Sequence, residues 1–169
     1  MIKLKIGTRG SRLAMWQANE VQRLLPVETT IRVVKTSGDR DRTSVLQGQS
    51  TTGFFTREIE QLLLAGEVDL AVHSLKDLPT QVARGLEINA YLERAPFSDL
   101  IPVRPESYVG NGTDRLPLKC GAIVGAGSLR RQSLLKRYAV DSVPTMIRGN
   151  VPTRIQKCLH GEYDAVVLA

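Results

Sequence analysis

The order of apolar and polar segments restricts this chain to a small group of folds. Residues 3–7 alternate as in a short strand, a polar loop follows at 7–11, and apolar residues then recur at helical spacing as far as Pro26. The same order of strand, loop and helix returns in the C-terminal half. Repeated units of this kind form parallel or mixed sheets with helices on their faces, so an α/β fold is predicted.

The remaining elements follow from apolar runs between polar or glycine-containing stretches. Strands are predicted at Thr30–Lys35, Val68–Val72, Leu86–Leu92, Ala122–Val124, Val143–Ile147 and Asp164–Leu168. Helices are predicted from Phe54 to Leu64, from Leu129 to Tyr138 and from Thr153 to Leu159. Trp16, on the first predicted helix, is expected in the core, and a long polar loop is expected from Thr36 to Gly53.

Prolines between residues 93 and 105 mark an expected boundary between two domains. The first α/β domain is assigned to residues 1–95 and contains the strand end that carries Lys76 and Asp77. The second α/β domain is assigned to residues 96–169 and contains two clusters of arginines. The extended, proline-rich segment between them is interpreted as a hinge.

The net charge of +6 raises the question of a nucleic-acid ligand. Aromatic residues form only 5% of the chain and are not interleaved with basic ones, as a single-strand binder requires. No apolar run reaches the ~20 residues that cross a bilayer, and no signal peptide pattern follows Met1. These observations argue against nucleic acid and membrane partners, and a cytoplasmic location is predicted. Cys120 and Cys158 lack a metal-ligand spacing, so free thiols and no metal site are expected.

Charged residues cluster where predicted strands end. Lys76 and Asp77 close the stretch that follows the strand Val68–Val72, and arginines occur in Ser128–Arg131 and Ile147–Arg154, each beside a predicted helix start. Parallel sheets bind ligands at the carboxyl ends of their strands, and a guanidinium group matches a carboxylate or phosphate bidentately. One carboxylate together with several guanidinium groups predicts a site for an acidic small molecule.

Six segments resemble the porphobilinogen deaminase family, also called hydroxymethylbilane synthase. They are Ile6–Ala18, Lys35–Asp39, Asp69–Thr80, Ser128–Gln132, Ile147–Asn150 and Gly161–Ala165. Each segment is weak evidence by itself, but the six occur in the family's order and cover almost the whole chain. The resemblance implies a transferase of heme biosynthesis that joins four porphobilinogen molecules into hydroxymethylbilane and releases ammonia at each step.

The resemblance also implies a cofactor and a set of site residues. Family members extend the product on a dipyrromethane cofactor that a thioether joins to a cysteine. Asp77 matches the family's catalytic aspartate, whose carboxylate stabilises the positive charge that develops on the reacting pyrroles. The positions that bind the cofactor are matched by Lys76, Ser11, Ser128, Arg130, Arg131 and Arg154. The positions that bind porphobilinogen and the growing oligopyrrole are matched by Arg9, Arg148, Gly149 and Asn150. A monomer is expected.

These residues also have plain structural explanations. Asp77 is of a type that stabilises turns before proline, and Ser11 and Ser128 are typical N-caps of helices. His73 is left out of the catalytic set, because a histidine more often bonds a backbone partner than takes part in catalysis. A solvated surface position is the alternative explanation for three cations: Lys76, Arg131 and Arg154.

The chain departs from the family pattern in several places. It ends at Ala169, whereas the family continues into a third domain with the attachment cysteine, and a segment that returns to the first domain is also absent. Covalent attachment of dipyrromethane to this chain is therefore not expected, and the chain is either a fragment or a reduced relative. Ser50–Phe55 replaces a glycine-lysine-glycine stretch, and Gly125–Ser128 replaces a turn with more hydroxyl groups.

A second hypothesis is a non-catalytic binding module. Two α/β lobes joined by a hinge resemble the type II periplasmic binding-protein architecture, and in this hypothesis the arginines of the chain hold an oligocarboxylate without reaction. Asp77 favours the enzyme, because simple anion binding gains nothing from a carboxylate among cations.

Overall fold

A computed structural model describes residues 2–40, 56–110 and 116–169 of the chain. Its strands are β1 (Lys3–Arg9), β2 (Glu28–Val34), β3 (Leu70–Ala71), β4 (Ile123–Ala126), β5 (Val143–Met146) and β6 (Ala165–Val166). Its helices are α1 (Arg12–Leu24), α2 (Ser37–Arg40), α3 (Arg57–Leu64), α4 (Leu129–Tyr138) and α5 (Val151–Leu159). The chain divides into two units, Met1–Leu92 and Glu93–Ala169. The assignment of domains to 1–95 and 96–169 stays a prediction.

The first unit contains a parallel sheet with the strand order β2-β1-β3. Ile6 of β1 pairs with Ile31 on one side and with Leu70 on the other. Helix α1 packs on β1 and β2, and α3 packs on β1 and β3. Ile6, Ile59 and Val68 are buried at the centre of this layer, which gives the sheet an apolar face. Strand β1 runs two residues further than predicted and therefore ends at Arg9.

The loop expected from Thr36 to Gly53 begins instead with helix α2, and residues 41–53 lie outside the described part of the chain. Two further expectations for the first unit are wrong. Leu86–Leu92 forms no strand: the segment makes no sheet pairing with other described residues, and Tyr91 is 68% exposed. An alternating pattern becomes a strand only beside a neighbour that pairs its N–H and C=O groups. Trp16 is 61% exposed rather than part of the core. It lies two residues from the buried Ala18, more than half a helical turn, and so occupies another face of α1.

The second unit contains a sheet with the strand order β5-β4-β6, all parallel. The proline-rich segment interpreted as a hinge lies antiparallel to β6: Leu100 and Leu168 exchange N–H···O bonds of 2.9 and 2.8 Å, and Val166 N donates to the carbonyl of Pro102. The sheet is therefore mixed. Helices flanking parallel and mixed sheets confirm the predicted α/β class.

Asp164 connects three parts of the second unit. One carboxylate oxygen accepts hydrogen bonds from Ser107 Oγ at 2.5 Å and from Lys119 Nζ at 2.7 Å, and the other accepts from the Ile123 backbone N at 2.8 Å. These donors lower the pKa of the carboxyl from 3.8 to about 2, with the Lys119 bond as the largest cause. Asp164 lies in one of the segments that carry the family resemblance, and its role in this structure is to hold the start of β4 and the turn Pro105–Ser107 against β6.

Candidate functional site

The candidate residues of the first unit lie where β1 and β3 end. Ser11 is the N-cap of α1: its Oγ accepts a hydrogen bond from the Ala14 backbone N at 3.2 Å. After β3 the chain forms a single turn of 3-10 helix, Leu75–Asp77. Arg9 and Asp77 line the same small groove beside the start of α1. Because both strands are parallel neighbours, their carboxyl ends bring the two side chains together.

Arg9 and Asp77 form a loose ion pair in this groove. Arg9 Nη1 lies 3.9 Å from Asp77 Oδ2, and the side chains are 18% and 32% exposed. That distance exceeds the length of a hydrogen bond, so the attraction is electrostatic and imposes no fixed geometry on the carboxylate. Lys76, next to Asp77, is exposed to solvent. The structure thus places Arg9 beside the predicted catalytic carboxylate and leaves Lys76 at the surface.

His73 lines the same groove and was left out of the predicted catalytic set. Burial lowers the pKa of its imidazole below the ordinary value of 6.5; the negative charges of Glu60 and Asp77 act in the opposite direction, and Arg9 lowers the pKa further. A lowered pKa favours the neutral imidazole, so His73 lines the groove as a polar ring that adds little positive charge.

Gln17 is a residue of this groove that sequence reasoning did not single out. Its Oε1 accepts a hydrogen bond of 3.0 Å from Ser74 Oγ, which connects α1 to the segment that leads to Asp77. Gln17 lies inside the segment Ile6–Ala18 that carries the family resemblance. Position in that segment was the one available signal, because a glutamine on a helix has no distinctive pattern of its own.

The candidate residues of the second unit lie in two turns that lead from strands into helices. Ser128 is the N-cap of α4, and its Oγ accepts from the Arg131 backbone N at 3.3 Å. Asn150 is the N-cap of α5, and its Oδ1 accepts from Thr153 N at 3.0 Å and Thr153 Oγ1 at 2.8 Å. Gly149 has φ of +108°, a conformation that favours glycine. Gly149 and Asn150 therefore have definite structural roles here, and their contact with substrate stays a prediction.

Arg131 is mostly buried and holds a carboxylate of its own unit. Its Nε donates to Asp99 Oδ2 at 2.7 Å and its Nη2 donates to Asp99 Oδ1 at 2.5 Å. The Arg131 side chain is only 14% exposed, so it is not the solvated surface residue that was the alternative explanation. Asp99 was not among the predicted residues, and nothing in the local sequence distinguishes it.

Arg154 is partly buried between the two turns. Its Nε donates a hydrogen bond of 2.8 Å to the carbonyl of Gly149. Burial lowers the pKa of its guanidinium, and the positive charges of Arg131 and Arg148 lower it further. The charges of Arg131 and Arg148 therefore act on Arg154 within this set of three cations, and an anion beside Arg154 offsets that repulsion. Arg130, exposed on α4, is not brought into this set.

Gly127 makes room for Arg154. A Cβ atom at Gly127 would lie 2.8 Å from Arg154 Nη1 and 3.1 Å from Nη2. The sequence suggested that the turn Gly125–Ser128 loses hydroxyl donors relative to the family. The structure shows that the space of a side chain at residue 127 is taken by a guanidinium group.

The described parts of the chain contain neither a cluster of metal ligands nor a membrane-spanning helix. Within residues 2–40, 56–110 and 116–169, no group of three or more His, Cys, Asp or Glu side chains is arranged to hold a metal ion. None of the helices in those ranges has the length and apolar character needed to cross a membrane. Cys158 is buried and Cys120 exposed, both as free thiols.

The whole described chain matches one protein family. Residues 4–169 match the family model described as porphobilinogen deaminase, dipyromethane cofactor binding domain. Similar solved structures include an ancestral cationic amino acid solute binding protein, with a TM-score of 0.46, 11% identity and coverage of 98% of this chain and 69% of that one. A structural similarity of that size supports no argument about this chain.

Curated relatives carry the same family name. A probable porphobilinogen deaminase of Methanosarcina acetivorans is 45% identical over 97% of this chain and 51% of the relative. Another of that name, from Methanocella arvoryzae, is 47% identical over 98% of this chain and 54% of the relative. The porphobilinogen deaminase of Helicobacter acinonychis is 43% identical, with coverage of 100% and 55%. The chain thus spans about half the length of these relatives, and it belongs to the porphobilinogen deaminase family.

Proposed function

We propose that this chain acts in the synthesis of hydroxymethylbilane, the reaction in which porphobilinogen molecules are joined and ammonia is released. The observation that carries the proposal is the partly buried Asp77 carboxylate beside Arg9 at the end of a parallel sheet. The family resemblance supports the proposal that this carboxylate supplies the negative charge that the chemistry requires. The proposal concerns the activity of a protein of the relatives' full length, about half of which this chain spans.

The arginines supply binding energy for an acidic substrate. Porphobilinogen carries an acetate and a propionate, so an oligomer of it is a polyanion. Burial lowers the pKa of Arg154, and repulsion by the positive charges of Arg131 and Arg148 lowers it further. An oligocarboxylate relieves this repulsion and gains charge-assisted hydrogen bonds that are shorter and stronger than neutral ones. Arg9 serves the carboxylates of the substrate in the first unit, and Gly149 and Asn150 shape the turn that presents Arg148.

The chemistry of these side chains also fits the family's dipyrromethane cofactor. A molecule of two pyrroles with acetate and propionate arms requires fixed cations and hydrogen-bond donors, and the partly buried Arg131 and Arg154 meet that requirement. When bound, dipyrromethane supplies the pyrrole end on which the product is extended. The residues proposed to hold it are Ser11, Lys76, Ser128, Arg130, Arg131 and Arg154. That dipyrromethane is not attached covalently to this chain stays a prediction.

Asp77 is proposed to act on developing charge. Departure of ammonia leaves positive charge on the substrate pyrrole, and the attacked ring also becomes positive. A carboxylate already in place stabilises both without reorganisation of solvent, an effect commonly worth about 3 kcal/mol for each group. The loose contact with Arg9, at 3.9 Å, leaves the carboxylate oxygens free of a bidentate bond from that arginine.

The test is Asp77→Asn in the full-length protein encoded by the gene. This isosteric change removes the charge, so kcat for hydroxymethylbilane formation should fall by about a hundredfold or more. Glu20→Gln is the control: it neutralises a carboxylate of the same unit that pairs with Arg23 and does not line the groove of Asp77, so its kcat should equal that of the wild type. Near-normal turnover of Asp77→Asn, with an unchanged melting temperature, would remove Asp77 from the mechanism.

The non-catalytic binding module is not favoured, because the relatives are named porphobilinogen deaminase. The monomeric state and the cytoplasmic location stay predictions.

A further inference from the structure

We propose that Asp99 is a positioning residue: it holds one edge of the Arg131 guanidinium so that the other edge receives a carboxylate of the acidic ligand. This inference rests on the proposed function and adds a residue that the family match does not assign. It starts from the pair of hydrogen bonds, at 2.7 and 2.5 Å, from Arg131 Nε and Nη2 to the two oxygens of Asp99.

The geometry of the Arg131–Asp99 pair leaves several N–H groups of the guanidinium without a bond to Asp99. A guanidinium group has five N–H donors in a fixed plane, and Asp99 takes two of them through the Nε and Nη2 edge. The edge formed by Nη1 and the outer hydrogen of Nη2 is fixed in direction once the first edge is held. A second carboxylate can approach that edge in the same bidentate manner.

Asp99 is suited to fix Arg131 because its own backbone is anchored. The next residue, Leu100, exchanges two backbone hydrogen bonds with Leu168. Arg131 is anchored as well, since its backbone N donates to Ser128 Oγ in the first turn of α4. An unrestrained arginine side chain carries about 2 kcal/mol of rotamer entropy, which ligand binding must otherwise remove. Asp99 removes part of it in advance.

Asp99 also counters the charges around Arg131. Burial lowers the pKa of Arg154, and the positive charges of Arg131 and Arg148 lower it further. Without Asp99, the two hydrogen bonds that orient the Arg131 guanidinium are lost. Loss of Asp99 also has an effect of opposite sign on Kd. Without this carboxylate the three arginines carry more net positive charge and attract anions more strongly. The salt dependence of Kd distinguishes the two effects. At about 1 M salt, where the Debye length is about 3 Å, the attraction due to net charge is screened, while the effect of a misoriented guanidinium on Kd remains.

The test is a double-mutant cycle read by calorimetric titration of the chain with porphobilinogen and, separately, with citrate. Asp99→Asn should raise Kd about tenfold in the wild-type background, as expected for residues in direct contact. In an Arg131→Ala background the same change should leave Kd unchanged or lower it. The difference between backgrounds should persist at about 1 M salt. Glu162→Gln, which removes an exposed ion pair with Lys157 in the same unit, should leave Kd unchanged.

The outcomes distinguish this inference from the proposed function. An equal change in Kd in both backgrounds, or tighter binding by Asp99→Asn at both salt concentrations, overturns the positioning role. Binding of citrate but not porphobilinogen contradicts the proposed substrate, while the cycle with citrate still decides on Asp99. A wild-type chain that binds neither probe overturns both. If Asp99→Asn does not fold, Arg131→Lys, which keeps the charge but lacks the Nε edge, should raise Kd by a similar factor.

Discussion

The guanidinium of Arg154 lies directly on the backbone of Gly127, where a Cβ atom would come within 2.8 Å of Nη1. Arg154 is held there by its hydrogen bond to the carbonyl of Gly149. A glycine in the β4–α4 turn and a carbonyl in the β5–α5 turn therefore determine together where this cation is presented. The position of an arginine that is proposed to bind the ligand thus depends on the absence of a side chain at residue 127.

Gly127→Ser should weaken ligand binding with little effect on stability. The new side chain meets the far end of the Arg154 side chain, which moves at low cost, so the free energy of unfolding should change by less than about 0.5 kcal/mol. Displacement of the guanidinium should raise the Kd for porphobilinogen about fivefold, equal to about 1 kcal/mol. In an Arg154→Ala background, Gly127→Ser should leave the Kd unchanged. An equal increase in Kd in that background would show that Gly127 does not act through Arg154.

Gly149→Ala should destabilise the second unit more than Gly121→Ala. Both glycines have positive φ, +108° and +73°, which costs a side chain about 1–2 kcal/mol. Gly121 has no atom within 4 Å of a new Cβ, whereas at Gly149 that atom would lie 2.9 Å from Thr153 Cβ in the first turn of α5. In chemical denaturation, Gly149→Ala should therefore lower the free energy of unfolding by at least about 1 kcal/mol more than Gly121→Ala does. Equal decreases would mean that the turn before α5 accommodates the new methyl group without cost.

Asp164 should make the stability of the second unit depend on pH in the acid range. Its pKa is lowered from 3.8 to about 2 in the folded state, so its stabilising contribution is complete above pH 3.8 and is lost as the pH falls through about 2. The contribution above that range is about 2 kcal/mol. Unfolding measured between pH 2 and pH 6 should show this loss, and Asp164→Asn should abolish it. A variant with the same acid dependence as the wild type would contradict the role of Asp164.

The parts of the fold that local pattern decides were predicted well. The bounds of α4, Leu129–Tyr138, follow from Ser128 as N-cap and from helical spacing, both of which act within a few residues. Leu86–Leu92 has as good an alternating pattern as β2, yet it forms no strand. Strand formation depends on a neighbour far away in the sequence, which a local pattern does not reveal.

In the candidate site too, local features were predicted from the sequence and long-range contacts were not. The arginines were located by their clusters beside helix starts, because a strand end and a helix N-terminus are both local features. Asp99 is 32 residues from Arg131, and only the folded chain brings the two together. Gly127 was interpreted as a loss of donors, because a sequence shows which side chain is absent but not which group fills its space.

The pKa of His73 depends on the charges of the groove in the first unit. Burial lowers its pKa below 6.5, Asp77 raises it and Arg9 lowers it. Asp77→Asn should therefore lower the pKa of His73 further, and Arg9→Gln should raise it. The chain has two histidines, so His160→Gln leaves a single imidazole signal and assigns His73 in an NMR titration. Shifts of the same sign in the two variants would show that Arg9 and Asp77 do not both act on His73. Because the folded pKa lies below the unfolded value, the unfolded state takes up the proton first, and the stability of the first unit should fall as the pH drops below about 6.5.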